Sequence, residues 1–275
     1  MSFNFSVNAG ESYSDTLKIV NPVDSEGEVH YKVSVVPYSV TDDKYTADLS
    51  SETQRTQIAK WVNVEITEGT IQPNETVEIP FTVDVPEGTP AGGQYAAIVV
   101  SSIPKETETS GVNFNNIYEM AALLYANVNG KTERGGSILE NSIPIFSTKP
   151  TVNVNAMVEN TGNTHEQATV SLIVTDFFKG EEIFSTKEEG NSDFSEVIMP
   201  ETKRFLTREI KNLPSLGIIK IEQTIKFNGD VSKEDGVVVI APIWFIVLVL
   251  LTLSAIIAGI VFRVKAKLKQ RSIKL

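Results

Sequence analysis

The sequence predicts a mostly β protein that carries one membrane-spanning helix near its C-terminus. Two observations predict the β part: apolar and polar residues alternate in many short segments, and turn residues separate these segments. A third predicts the helix, because the 26 residues from Val237 to Phe262 contain no charged side chain. A helix of that length is about 39 Å long, which exceeds the roughly 30 Å of a hydrocarbon core.

Alternation with a period of two recurs through the chain before the apolar run, most clearly over 29–35, 77–85, 152–158, 170–174 and 219–227. A strand places successive side chains on opposite faces, so this pattern gives one face to a core and the other to water. Outside the apolar run, only 52–59 has helical character, over one or two turns. Such short strands favour β-sandwiches over βαβ units, and we expect two tandem immunoglobulin-like β-sandwiches followed by a single transmembrane α-helix.

A weak internal repeat supports two sandwiches. Segments 17–22 and 157–163 each run from a strand into an Asn-containing turn, and segments 71–77 and 198–203 each run through a turn into a strand. We therefore expect an N-terminal immunoglobulin-like β-sandwich over 1–149 and a second over 150–230. A polar stalk over 231–236, the transmembrane helix over 237–262 and a basic cytoplasmic tail over 263–275 complete the prediction.

The flanks of the apolar run predict its orientation. Six Lys and Arg residues and no acid follow Phe262, beginning with Arg263 and Lys265, whereas acids precede Val237. Because cationic residues stay on the cytoplasmic side, we expect a single-pass plasma-membrane protein with extracytoplasmic N-terminal domains. Trp244 then falls near the outer interface. The first residues already resemble a strand, so we expect an export signal to have been removed.

Composition narrows the function classes. The part before residue 237 holds 18 of the 24 cationic residues and all 35 acids, which gives it a net charge of −17 and argues against nucleic acid as a ligand. There is no cysteine, and His30 and His165 stand apart, the first on the wet face of a strand and the second on a turn. No nucleophile elbow is present either. We expect no catalytic residue, no cofactor and no metal.

The candidate partner-binding residues are Phe114, Tyr118, Gly92 and Gly93. A polar loop over 104–116 carries Phe114 and leads to Tyr118, and such loops on a rigid sandwich often serve recognition. The alternative is that Tyr118 begins a buried strand, to which Met120, Leu123 and Tyr125 are assigned. The glycine pair indicates a bulge or a close backbone approach, or else room for the backbone of a ligand. An exposed sheet edge offers a further route, by addition of a partner strand.

Two segments resemble a known family. The runs Pro-Asn-Glu-Thr-Val-Glu-Ile-Pro-Phe-Thr-Val at 73–83 and Pro-Glu-Gly-Thr-Pro-Ala-Gly-Gly-Gln-Tyr at 86–95 are similar to the first domain of WxL-interacting surface proteins of Gram-positive bacteria. That resemblance implies two immunoglobulin-like domains, described as peptidoglycan-binding and host-binding, with a C-terminal helix and a basic tail. The second half departs from the family at 159–165 and is closer to generic bacterial and archaeal adhesion-type sandwiches.

The sequence therefore predicts a membrane-anchored cell-surface binding or scaffold protein. Its partner would be a surface protein or a cell-wall polymer, and its helix would contact the lipid bilayer. The alternative is an accessory subunit of a larger membrane complex, assembled through small residues of the helix at 254–255 and 258–259. The ligand and the oligomeric state stay open at this point.

Overall fold

The computed structural model describes residues 1–25, 27–41, 44–103, 117–186 and 194–272. It confirms the predicted fold class, two tandem immunoglobulin-like β-sandwiches followed by one apolar C-terminal helix. By its contacts the chain forms two compact units. Unit 1 comprises Met1–Ser137 with the later segments Val158–Gln167 and Val197–Arg204, and unit 2 comprises Ile138–Met157, Ala168–Glu196 and Phe205–Leu275.

The first nine strands build the sandwich of unit 1. They are β1 Ser2–Val7, β2 Ser12–Asn21, β3 Val29–Thr41, β4 Lys44–Ala47, β5 Val62–Val64, β6 Glu68–Ile71, β7 Glu75–Asp84, β8 Gly92–Ile103 and β9 Glu119–Val128. Among the described residues, one sheet has the order β1-β9-β8-β3-β4, with β6 also paired to β3, and the other has the order β2-β7-β5. Two 3-10 helices, Leu49–Ser51 and Gln54–Lys60, occupy the region where the sequence indicates a short helix.

The core of unit 1 follows from the alternation. In β7, Ile79, Phe81 and Val83 are buried, and Phe3 meets Phe81 edge-to-face with ring centroids 5.0 Å apart. Ile58 of the second 3-10 helix is fully buried in the same core. Strand periodicity thus determines which residues hold the two sheets together.

The remaining strands build the sandwich that precedes the helix. They are β10 Gly136–Ser142, β11 Phe146–Ser147, β12 Val152–Asn160, β13 Glu166–Asp176, β14 Glu182–Ser185, β15 Phe194–Ile198, β16 Thr202–Ile210, β17 Gly217–Phe227 and β18 Asp230–Ile240. Within the described ranges, the sheets have the orders β10-β12-β16 and β11-β18-β17-β13-β14, with β15 also paired to β13. Ile219, Ile221, Ile225 and Phe227 of β17 are buried, as their alternation predicts.

The internal repeat is visible in hydrogen bonds. Asn21 is buried at the end of β2, and its amide donates to the carbonyls of Gly27 and Ile71 at 3.0 and 3.2 Å. Asn160 is buried at the end of β12, and its amide donates to the carbonyls of Thr164 and Ile198 at 2.9 and 3.0 Å. Each asparagine therefore links its own turn to a second segment of the chain. These second segments, which begin at Ile71 and Ile198, are the ones that match each other in the internal repeat.

Two boundaries differ from the sequence prediction. The expected stalk over 231–236 belongs to β18, which pairs with β17 from Phe227↔Asp230 to Gly217↔Ile240. Val237, expected at the start of the membrane span, also lies in this strand and is half-exposed, because Val238 and Ile240 are the residues that face the core. The C-terminal helix, α1, covers Ile243–Ser272 and therefore begins six residues later than expected.

Candidate functional site

Within the described residues, the first four residues of β9 pair with a neighbouring strand on one side only. On one side they pair with β8, from Ser101↔Glu119 to Ile98↔Ala122. On the other side β1 begins its parallel pairing only at Ser2↔Leu123. In the part of the chain that the structure describes, residues 119–122 therefore have a single neighbouring strand, and we call them the β9 edge.

Alternation of the main-chain groups shows which of them are free. Ser102 N–H donates to the Tyr118 carbonyl at 2.8 Å, so Tyr118 and every second residue after it direct their N–H and C=O toward β8. Leu123 N–H donates to the Met1 carbonyl at 3.1 Å, on the opposite side. By the same alternation, Glu119 and Ala121 direct their N–H and C=O outward from the β9 edge, where an added strand would bind them.

An apolar groove lies between the β9 edge and β2, and we call it the β2–β9 groove. It consists of a cavity of about 540 Å³ and a neighbouring one of about 340 Å³, which share Ile19, Val100 and Met120 in their walls. Val20, Pro22 and Val29 extend the apolar lining. Among the described residues, the groove lies beside β2, the edge strand of its sheet, and beside residues 119–122, which precede the pairing of β9 with β1.

The groove has a neutral floor and charged rims. Tyr31 is buried on the floor, and burial raises the pKa of its hydroxyl, with the Glu75 carboxylate adding to the rise. On the rim, Lys18 and Glu78 form an exposed ion pair at 2.8 Å. An apolar segment with uncharged main-chain groups fits this combination better than a charged or polyhydroxylated ligand.

The predicted aromatic residues have different outcomes. Tyr118 is 71% exposed and lines the groove, and its role in partner binding stays a prediction. Phe114 lies outside the described residues. Met120, expected in a buried strand, is instead 60% exposed, because no described strand of the opposite sheet covers it, whereas Leu123 and Tyr125 are half-buried. The sequence analysis did not propose Met120 or the β2 residues as partner-binding residues, and only the structure places them in the groove.

Gly92 and Gly93 permit a close approach of the chain to itself. A Cβ on Gly92, whose φ is +122°, would lie 2.4 Å from the Asn163 carbonyl oxygen, and a Cβ on Gly93 would lie 1.9 Å from Tyr95 Oη. Gly93 N–H donates to the same Asn163 carbonyl at 2.7 Å. In this structure, protein atoms occupy the space beside both glycines, in agreement with the close-approach interpretation. Their proposed role in partner binding stays a prediction.

His165 is half-buried next to Tyr95, whereas the sequence suggests an exposed turn residue. The Tyr95 hydroxyl accepts from the His165 backbone N–H at 3.0 Å and lies 3.2 Å from Nδ1. Burial lowers the pKa of His165, against a smaller opposing effect of Glu166. A neutral imidazole whose Nδ1 accepts from the tyrosine hydroxyl satisfies both groups.

The depressed pKa of His165 predicts a pH dependence of stability. The unfolded chain takes up a proton on this residue near its ordinary pKa of 6.5, whereas the folded chain resists it until lower pH. Stability from this group is therefore fully present above pH 6.5 and falls as the pH decreases through the folded pKa. We expect urea unfolding of the detergent-solubilised chain to show this loss, and His165→Gln to show less of it than wild type. Equal pH dependence in both proteins would contradict the assignment.

Four of the five predicted anchor residues lie on α1, whereas Val237 lies in β18. Trp244 is in the first turn of α1, Phe262 is exposed, and Arg263 and Lys265 follow in the same helix. Residues Ile243–Lys265 are long and apolar enough to cross a membrane, and none of the apolar window is buried in the protein. This helix fits a single-pass membrane anchor. Among the described residues, no group of three His, Cys, Asp or Glu could hold a metal ion.

Solved structures of fimbrial chaperones resemble the chain at low sequence identity. They include a chain of the chaperone–tip adhesin complex of CFA/I fimbriae (13% identity, TM-score 0.41, 85% of this chain and 95% of that one), the CsuC–CsuE complex of Acinetobacter baumannii (11%, 0.41, 85% and 94%) and the E. coli chaperone DraB (15%, 0.39, 85% and 93%). No family model and no curated protein matches the sequence. Membership of the WxL-interacting family stays a prediction.

Proposed function

We propose that this chain is a membrane-anchored cell-surface protein that binds an extended segment of a protein partner in the β2–β9 groove. The observation that carries this proposal is the β9 edge, whose outward main-chain groups pair with no second strand among the described residues and stand beside an apolar cavity of about 540 Å³. Main-chain hydrogen bonds would supply affinity, and the cavity would select apolar side chains at alternate positions of the added strand.

The same observation favours a protein partner over a cell-wall polymer. Natural proteins protect exposed strand edges, because an unprotected edge pairs with other chains. Here Tyr118 and Met120 extend apolar surface from the edge on either side of Glu119, the one charged residue of the β9 edge. A polysaccharide site would need polar side chains along most of the groove, whereas apolar residues such as Ile19, Val20 and Val100 outnumber the polar ones, Asn21, Ser102 and Glu119, in this lining.

The helix orients the molecule in this proposal. Its basic C-terminal end would stay in the cytoplasm, and both sandwiches would lie outside the cell at the plasma membrane. The alternative role as a complex subunit receives less support from the helix itself. Thr252 and Ser254 donate their hydroxyl protons to the carbonyls of Val249 and Leu250 at 2.8 Å, so these polar groups are satisfied without a second helix.

A backbone variant tests strand addition at the β9 edge. Ala121→Pro removes an N–H that points away from β8, so the sandwich keeps its own hydrogen bonds. The probe is a set of twelve-residue peptides selected from a random displayed library against the full-length chain in lipid nanodiscs. We expect Ala121→Pro to weaken binding about five- to tenfold, since one or two hydrogen bonds of about 1 kcal/mol each are lost.

The control is Ala121→Ser, which keeps the N–H and should bind like wild type. Purified peptidoglycan is assayed in parallel with the same three proteins. Saturable peptidoglycan binding that Ala121→Pro leaves unchanged, together with failure to select any peptide, would replace this proposal with the cell-wall polymer alternative.

A further inference from the structure

An exposed aromatic pair marks one end of unit 2. Phe177 and Phe178 follow β13 in the turn to β14, and 51% and 77% of their surfaces are exposed. Their rings meet edge-to-face with centroids 5.3 Å apart. Two adjacent phenylalanines on a turn expose more apolar surface than a polar turn requires, which indicates contact with an apolar partner.

The turn itself is firmly built. Asp176 Oδ1 accepts from the backbone N–H groups of Phe178 and Lys179, both at 2.9 Å, and Gly180 N–H donates to the Asp176 carbonyl at 2.9 Å. Gly180 has a φ of +70°, which glycine adopts without steric cost. These bonds fix the backbone, so the exposure of the two rings follows from the local fold.

Strand register places this turn at the end of the sheet that leads into α1. Phe177 N–H donates to the Ile218 carbonyl at 3.1 Å, and Ile218 is paired with Val239 of β18. Phe177 is thus level with Val239, two strands away, which corresponds to about 10 Å. Only Ala241 and Pro242 separate Ile240 from Ile243, a distance of at most about 10 Å along the chain, so this end of the sheet lies close to the start of the apolar helix.

Other residues at this end share the apolar character. Phe146 pairs with Val239 at the start of β11, Ile145 precedes it, and Leu216 precedes the pair Gly217↔Ile240; all three are substantially exposed. Trp244 stands one residue into α1. The exposed apolar residues of the turn therefore lie at the same end of the sheet as the start of α1.

We propose that Phe177 and Phe178 insert into the outer interface of the bilayer and form a second membrane contact beside the helix. The inference rests on the membrane anchoring in the proposed function. The interfacial layer is roughly 5–8 Å deep on each side of the hydrocarbon core. The turn lies at the end of the sheet from which the chain enters α1, so its two rings are close enough to enter this layer. Aromatic side chains favour this layer, and two contact points would restrict the tilt of unit 2 above the membrane.

The experiment uses the full-length chain in phosphatidylcholine vesicles. The chain has no cysteine, so a single introduced one takes a fluorescent label at a defined site. Lys179→Cys places the label beside both rings, and lipids that carry a nitroxide quencher near the headgroup report its depth. We expect strong quenching at this position, and loss of that quenching when Phe177→Ser and Phe178→Ser are added.

Two further labels separate the possible outcomes. Asp230→Cys, at the opposite end of the same sheet, lies about 33 Å along β17 from the helix end and should stay unquenched. Leu250→Cys, within α1, should be quenched by lipids that carry the nitroxide deep in the acyl chain. If the helix label is quenched and the turn label is quenched no more than that at position 230, the inference is wrong and the anchor stands. Quenching that persists in the double serine variant would also overturn it, and an unquenched helix label would overturn the anchor.

Discussion

Gly92→Ala is expected to lower the free energy of unfolding of unit 1 by about 3 kcal/mol. The new Cβ would lie 2.4 Å from a backbone carbonyl oxygen of Asn163 and 2.8 Å from Nη1 of Arg55. Arg55 is itself held by Glu201, with Nη2 2.7 Å from the carboxylate. Overpacking against atoms that cannot move costs about 1–3 kcal/mol, and a φ of +122° adds about 1 kcal/mol or more.

The measurement is urea unfolding in detergent, followed by tryptophan fluorescence. The chain has two tryptophans, of which Trp61 lies in unit 1 and Trp244 in α1, so a Trp244→Phe background leaves Trp61 as the reporter. The matched control is Gly88→Ala. Gly88 has a φ of +75°, and a Cβ added there would meet no atom within 4 Å, so we expect a cost of only about 1 kcal/mol. Equal costs at the two glycines would show that the contact with Asn163 contributes nothing.

The sequence predicted many of the buried strand residues and the paired Asn turns correctly, because both depend on residues that are close in sequence. The period of two identified the buried residues of β7 and β17 because a strand reports its two faces directly in sequence. The paired Asn turns were recognisable because each asparagine serves the same geometry in both halves. Even the backbone repeats, since Asn74 and Glu201, which follow Pro73 and Pro200, have φ values of 63° and 59°.

The stalk and the start of the helix could not be separated in the sequence. Val238 and Ile240 face the core of unit 2, and Ile243 begins the apolar helix, but the three lie in one uncharged run. The alternating pattern at the end of β18 therefore cannot be distinguished from the uncharged run of the helix that follows it. The polar half of β18 resembles a stalk in sequence because Ser232, Glu234 and Gly236 alternate with residues that are themselves mostly polar.

The candidate site depends on long-range register, which no local pattern contains. The position of the β9 edge follows from the register of β1, whose described pairing with β9 runs from Leu123 onward. Tyr118 was identified from its place after a long polar loop, whereas Ile19 and Val100 join it only after the two sheets pack. The sequence could therefore propose Tyr118 as a partner-binding residue, but it could not define the groove that this residue lines.

Met120→Lys is expected to reduce binding of the selected peptides at least about thirtyfold in the full-length chain. The side chain stands in the wall shared by the two cavities of the β2–β9 groove, at the centre of the proposed contact. Lysine would bring a charge to an apolar surface that the peptide must desolvate, and central anchor residues of an interface contribute about 2 kcal/mol or more. Tyr118→Ser should cause a similar loss through removal of the exposed ring.

The fold should tolerate these changes, which makes the loss interpretable. Met120 is 60% exposed, and substitutions at such positions change stability by about 0.5 kcal/mol or less. The matched control is Leu49→Lys, because Leu49 is 78% exposed in a 3-10 helix of unit 1 and lies outside the groove. We expect Leu49→Lys to bind like wild type in the same nanodisc assay. If both lysine variants lose affinity equally, general charge and not the groove governs binding; if neither does, the partner contacts another surface. A loss confined to Met120→Lys and Tyr118→Ser would place the partner's apolar side chains beside the β9 edge, where the free N–H and C=O groups of Glu119 and Ala121 can pair with its backbone.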